Sequence, residues 1–186
     1  GADRTERCTH TVSQGLYFSL FAIPALLALI PVGHLMFQAA GHSGDQIALE
    51  FSYFRIMMLG AVLVLFRQVL VGFFLGVGRT RIVMLANLAG LVVNVPLNYV
   101  LIFGKLGLPA LGIEGAAIAT VSGSLLIVVV LAGAYLRHPI YREHRARGLF
   151  RFRGELFGRL LRFGAPAGTE LFLNVFAFNM FIQLMH

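Results

Sequence analysis

Five apolar stretches, each near or above 20 residues, dominate this chain: Leu16–Phe37, Phe51–Val77, Ile82–Phe103, Gly115–Leu136 and Phe163–Met185. Runs of that length match the hydrocarbon core of a bilayer, about 30 Å thick, at about 1.5 Å of helix per residue. Inside lipid every backbone N–H and C=O must find its partner within the segment, so each run is restricted to a helix. The chain is 58% hydrophobic and 12% charged over 186 residues. So few charges cannot cover the surface of a soluble domain of this size. The fold class is therefore an all-α membrane protein, a polytopic bundle of transmembrane helices. One cysteine, Cys8, leaves no internal disulfide and no Cys-cluster metal site. The chain starts at Gly1 and stops at His186 inside an apolar run, so it reads as a piece of a longer protein.

The net charge of +7 is a matter of topology. Residues 1–14 hold 2 basic residues, the turn Gly76–Arg81 holds 2, and the long connection Arg137–Arg162 holds 8. The alternate loops hold only Arg55, at the mouth of the second span, and Lys105. The basic side is expected to be cytoplasmic, which places Cys8 in a reducing compartment. No base-reading module occurs and the arginines flank apolar spans, so nucleic acid is not an expected partner. In "RFRGELFGRLLRFG" Phe152, Leu156, Phe157, Leu160 and Leu161 alternate with arginines. That pattern suits a helix lying among anionic lipid headgroups; a solvated linker with basic topology anchors explains the arginines as well.

Polar residues inside the spans are costly and single themselves out. "VVNVPLNYVLIFG" (Val92–Gly104) places Asn94 and Asn98 on one helical face with Pro96 between them. Pro96 removes an N–H and crowds the carbonyl four residues back, so a helix bend is expected there, with the Val92 carbonyl freed. Asn98 lies about five residues before the end of its span and Thr120 about five into the next, both roughly 8 Å deep at about 1.5 Å per residue. They can face a shared cavity, or the amides can tie helices together, at about 0.6 kcal/mol for each such bond. Arg67, inside the second span, is either a cavity charge or half of a structural pair, or it snorkels toward the basic side. Glu170 follows a Gly-Ala-Pro-Ala-Gly break and reads either as a helix-start acid held by the dipole or as a coupling acid. His34 reads as an interfacial residue. The Gly and Ala of "GIEGAAIATVSGS" (Gly112–Ser124) read as a close helix contact.

"NVPLNYVLIFGKLGLPALGIEGAAIAT" (Asn94–Thr120) resembles the multidrug and toxin extrusion (MATE) family of cation-coupled efflux transporters. "GADR" (Gly1–Arg4), "FFLGVGRTR" (Phe73–Arg81) and "RFGAPAGTELFLNVFAF" (Arg162–Phe178) resemble further family segments in the same order and spacing. The resemblance implies helices three to seven of a twelve-helix, two-lobe transporter. Residues 1–136 would be four helices of the first lobe, 137–162 a cytoplasmic inter-lobe connection and 163–186 the start of the second lobe. It implies a sodium- or proton-coupled antiporter that exports drugs or other cationic or amphipathic compounds. The implied setting is a multi-pass, bacterial cytoplasmic membrane, with small-molecule cargo, a coupling cation and membrane lipids as partners, no resident cofactor, and a monomer at full length. It places Asn94, Asn98 and Thr120 in a substrate or ion cavity. Asn98 stands where some members carry an aspartate, and it cannot titrate. Asn174 stands where many carry a coupling glutamate, leaving Glu170, one turn earlier, as the nearest acid.

No HExxH, GxSxG, paired Asp motif or phosphate-cradling loop occurs, so no enzyme is expected. Two rival classes are a lipid-linked saccharide flippase on a related two-lobe plan and a membrane scaffold without transport. The flippase calls for a strongly cationic central cavity. The scaffold calls for Asn94, Asn98 and Thr120 to point at other helices.

Overall fold

The computed structural model describes residues 2–39, 44–144, 152 and 154–184. The Cys8 side chain, much of the turn at Gly41–Gln46, most of the connection between 145 and 153, and Met185 lie outside the described residues. The described residues form six helices: α1 (Ala2–Ala39), α2 (Gly44–Gly76), α3 (Thr80–Phe103), α4 (Gly112–Arg137), the short α5 (Pro139–His144) and α6 (Gly154–Leu184). No strand occurs among the described residues. Helices α1 through α4 are each long and apolar enough to cross a membrane, over His10–Gln38, Gly44–Gly76, Thr80–Phe103 and Gly112–Arg137. The expected fifth span lies within α6 and is helical as far as Leu184.

Glycines set how the helices meet, because in lipid close backbone approach replaces the hydrophobic drive. A Cβ on Gly15 of α1 would lie 2.9 Å from Val69, and one on Gly33 would lie 2.3 Å from the Phe54 ring. Those two contacts run α1 antiparallel to α2. A Cβ on Gly60 of α2 would meet Val121 of α4 at 2.5 Å, while Phe73 packs edge-on against Tyr135 at 4.8 Å. Hence α2 and α4 run in the same direction. Helix α3 runs against α4: Gly90 sits beside Ile127, Gly123 beside Asn94, and Gly115 beside Leu101. The packing order is α1–α2–α4–α3, with α4 held between α2 and α3.

The tightest core lies at the basic end of the bundle. Val12, Leu70, Phe73, Phe74, Ala86, Ile127, Leu131, Tyr135 and Tyr141 form one buried cluster there. Phe74 and Leu131 are fully enclosed. His138 ends α4 with an extended backbone and packs edge-on against Phe73 at 5.4 Å and Phe74 at 6.3 Å. Its Nδ1 accepts the Ile140 N–H at 3.4 Å, bridging α4 to α5. Burial, then the nearby Arg79 guanidinium, holds the His138 imidazole below its ordinary range. An unfolded chain then binds the proton more tightly than the folded one. The His138 contribution is complete above the unfolded value of about 6.5 and is lost as pH falls through the folded value. We expect the thermal midpoint of the purified protein to fall between pH 7.5 and pH 5.5, and His138→Gln to flatten that fall. An unchanged slope in the variant would assign the acid sensitivity to another group.

Helix α6 leans on α1 through its first turns. Phe157 packs on Phe18 at 6.5 Å and on Phe21 at 6.3 Å, and Phe152 meets Tyr17 edge-on at 5.8 Å. From Leu161 to Phe178 every residue is exposed. The Gly-Ala-Pro-Ala-Gly segment does not break this helix: α6 passes through Pro166 in one piece, joining the basic amphipathic stretch to the apolar one. Glu170 therefore sits more than four turns inside α6, beyond the reach of the N-terminal dipole that would explain a helix-start acid.

Candidate functional site

The α3–α4 seam opens into a groove of about 270 Å³, lined by Asn87, Gly90, Leu91 and Asn94 from α3 and Thr120, Gly123, Ser124 and Ile127 from α4. Positions 87, 90, 91 and 94 follow the three- and four-residue spacing of one helical face, as do 120, 123, 124 and 127. The groove exists because Gly90 and Gly123 bring the backbones together. A Cβ on Gly123 would lie 3.2 Å from the Gly90 carbonyl oxygen and 3.2 Å from the Asn94 Cβ. The polar side chains flanking this contact have room on either side of it.

Hydrogen bonds decide what the groove offers. Asn98 Nδ2 donates to the Asn94 carbonyl oxygen at 3.0 Å and to Asn94 Oδ1 at 3.0 Å, so both of its donor hydrogens are directed at Asn94. By the α3–α4 register, Asn98 lies level with Ala119 and Thr120, but it does not line the groove. It orients Asn94, fixing that carboxamide's oxygen toward α3 itself and leaving its NH₂ directed to α4 near Gly123. Thr120 Oγ1 donates to the Ala116 carbonyl at 2.9 Å, and Asn87 Nδ2 donates to the Val83 carbonyl at 2.8 Å. The Thr120 hydroxyl hydrogen and one Asn87 amide hydrogen are spent on their own helices, and both side chains keep acceptor oxygens. Asn94, Thr120, Asn87 and Ser124 thus line the groove with hydroxyl and carboxamide groups, acceptors and donors together, and no carboxylate lines it. Helix α3 runs on through Pro96, whose ring is exposed.

Asn87 and Ser124 belong to this site and were not singled out from sequence. The signal was present, since both continue the polar faces of Asn94 and Thr120 by one or two turns. Thr120 and Ser124 also border a second cavity of about 330 Å³, on the other flank of α4, with Leu26 of α1 and Met57, Met58, Ala61, Val64 and Leu65 of α2. One strip of α4 hydroxyls therefore separates a polar groove from an apolar, Met-lined one.

Glu114, expected in the loop before α4, lies in the helix's first turn, half-buried, and accepts a hydrogen bond from Ser52 Oγ of α2. Glu170 and Asn174 share a face of α6 with Arg162, Pro166 and Thr169, along an open hollow of about 750 Å³. Helix α6 does not touch α3 or α4 among the described residues, so Glu170 and Asn174 are not brought to the groove. His34 lies on α1 against the Phe51 ring at 4.6 Å, with its Nε2 3.0 Å from Gln38 Nε2. No group of three or more His, Cys, Asp or Glu side chains suited to a metal ion occurs among the described residues.

The seam can be compared with known proteins. A family model described as MatE matches residues 1–100, which include α1, α2 and the Asn94–Asn98 pair. The chain also matches a solved structure described as the inward-facing conformation of a multidrug resistance MATE family transporter of the MOP superfamily. That match has a TM-score of 0.67 at 22% identity and covers 89% of this chain and 43% of the other. The chain thus spans less than half the length of that protein, and the likeness is one of fold. With four membrane-length helices and a family match over more than half of its residues, the chain belongs to the MatE family of multi-pass membrane transporters.

Proposed function

We propose that this chain supplies four helices of the first lobe, over residues 1–136, and the opening helix of the second lobe, over 163–186, of a cation-coupled antiporter. That antiporter exports cationic or amphipathic compounds across a bacterial cytoplasmic membrane, and the connection 137–162 lies on the cytoplasmic side. The observation that carries this reading is the seam of Asn87, Asn94, Thr120 and Ser124, whose polar side chains line a groove. Acceptor oxygens suit a cation or the donor groups of an amphipathic amine, and the Met-lined cavity across α4 suits its apolar part. A scaffold would spend these groups between helices. A flippase for an anionic headgroup would line the groove with arginines, and none lines it.

Asparagines and hydroxyls can ligate a cation but cannot carry a proton at neutral pH. Ion coupling accordingly rests on an acid beyond these residues, with Asn94 and Asn98 as supporting groups. The test is cargo movement by the complete transporter in vesicles under an imposed sodium or proton gradient. Gradient-driven export of a cationic dye is expected, and Glu170→Gln is expected to leave it largely intact. Retained downhill flux with loss of gradient-driven export in that variant would assign coupling to Glu170. No dye movement under either gradient would sink the exporter reading.

A further inference from the structure

Arg67 is the least explained residue in the bundle. It lies seven residues from Gly60 and seven from Phe74, so it shares the side of α2 that packs on α4. Its side chain is half-buried, and its Nε is enclosed with no hydrogen-bond partner. Arginine stays charged in any protein environment, so it cannot escape the cost by losing a proton. Such a residue inside a span needs a counter-charge or water.

The described residues do not supply one. Glu50 receives the Gln46 amide and Glu114 the Ser52 hydroxyl. Glu50 lies 17 residues up α2, about 25 Å away at about 1.5 Å per residue. Asp45 is farther still, and Glu114 starts α4 at the level of Ser52. At the other end, Gly15 packs at the level of Val69, and Asp3 and Glu6 lie nine or more residues beyond it. On α6, Glu155 is paired with Arg159, and Glu170 lies on the exposed length of a helix that does not pack on α2. Arg67 lines neither the polar groove nor the cavities along α1 and α6. A lipid phosphate is also remote. Arg67 is nine residues before Gly76, about 14 Å from the basic turn at about 1.5 Å per residue, beyond the span of one arginine side chain.

We infer that Arg67 is one half of an intramembrane ion pair whose other half is a carboxylate side chain from the remainder of the transporter, beyond these 186 residues. A single acid on a neighbouring helix at mid-depth satisfies the enclosed Nε and the charge together, through the paired geometry that guanidinium and carboxylate share. The half-buried head lets such a helix reach it from outside the four-helix unit. This inference rests on membrane embedding alone and stands whether or not the α3–α4 groove carries cargo.

The test uses the complete transporter, purified in detergent. Removing one partner of a buried pair strands the other charge, which is strongly destabilising. Arg67→Leu is expected to lower the thermal midpoint by about 5 °C or more, and Arg67→Lys by less. Because such variants can fail to accumulate, a second measurement selects for substitutions that restore folded, monodisperse Arg67→Glu protein. These are expected to change one acidic residue outside the 186 to a basic or neutral one. Three results would overturn the inference. The first is an Arg67→Leu protein as stable as the parent. The second is restoration only by changes within the 186. The third is a parent protein that loses the same stability once anionic lipid is stripped, which would make a phosphate the partner.

Discussion

Gly115→Val is expected to abolish recovery of folded transporter. A Cβ at this position would lie 2.7 Å from both the Leu101 carbonyl carbon and its oxygen, and 3.0 Å from the Leu101 Cβ. Two of those three atoms are backbone, so no rotamer change relieves the overlap. The helices must part along the seam, and α4 is the helix that both α2 and α3 grip. Overpacking in a core costs about 1–3 kcal/mol when side chains can yield. Here they cannot, and a loss at or beyond the upper end of that range is expected. Size-exclusion of a fluorescently tagged protein checks this, with Gly133→Ala as the control, since nothing lies within 4 Å of a Cβ there. A monodisperse Gly115→Val peak at the height of the control would show that the seam is looser than these distances.

Asn94→Leu carries the second large effect, on transport and not on folding. The side chain lines the groove, and its carboxamide NH₂ lies against α4 at Gly123. Leucine removes donor and acceptor together, fills the groove with apolar bulk and leaves the Asn98 NH₂ only its bond to the backbone carbonyl of residue 94. Cargo efflux is expected to fall about tenfold or more at equal expression, the scale of one or two lost hydrogen bonds to a partly desolvated ligand. Asn98→Leu is expected to lose efflux through a different route, by releasing Asn94 from its fixed orientation. Thr120→Val, which keeps the shape and removes the oxygen, should weaken efflux without changing yield. Equal efflux in all three would reduce these residues to ties between helices.

The sequence by itself determined the class of fold, and the reason is the solvent. In a bilayer the backbone must close its own hydrogen bonds, so apolar runs of sufficient length could only be helices. It also marked Asn94, Asn98 and Thr120, because an amide or hydroxyl in an apolar run is conspicuous at one-dimensional resolution. Helix ends were less legible. Glu114 reads as loop beside Gly112 and Pro109, yet it joins α4, because its Ser52 partner lies 62 residues away. The Gly-Ala-Pro-Ala-Gly segment reads as a break, yet α6 passes through it, since one proline removes a single intrahelical bond and leaves its neighbours to hold the turn.

Which polar groups meet was decided only by the tertiary structure. Helical spacing puts Asn98 on the face of Asn94, but the register of α3 against α4, set where Gly90 and Gly123 touch, decides which of the two lines the groove. That same contact recruits Asn87 and Ser124, which sequence reasoning passed over. Periodicity tells which side of a helix a residue occupies; only the neighbour's backbone tells how closely that side is approached. The enclosed, unpartnered Nε of Arg67 is the clearest instance. Its charge and depth are written in the chain, while the absence of an acid at its level among the described residues emerges only once α1, α2 and α4 are packed side by side.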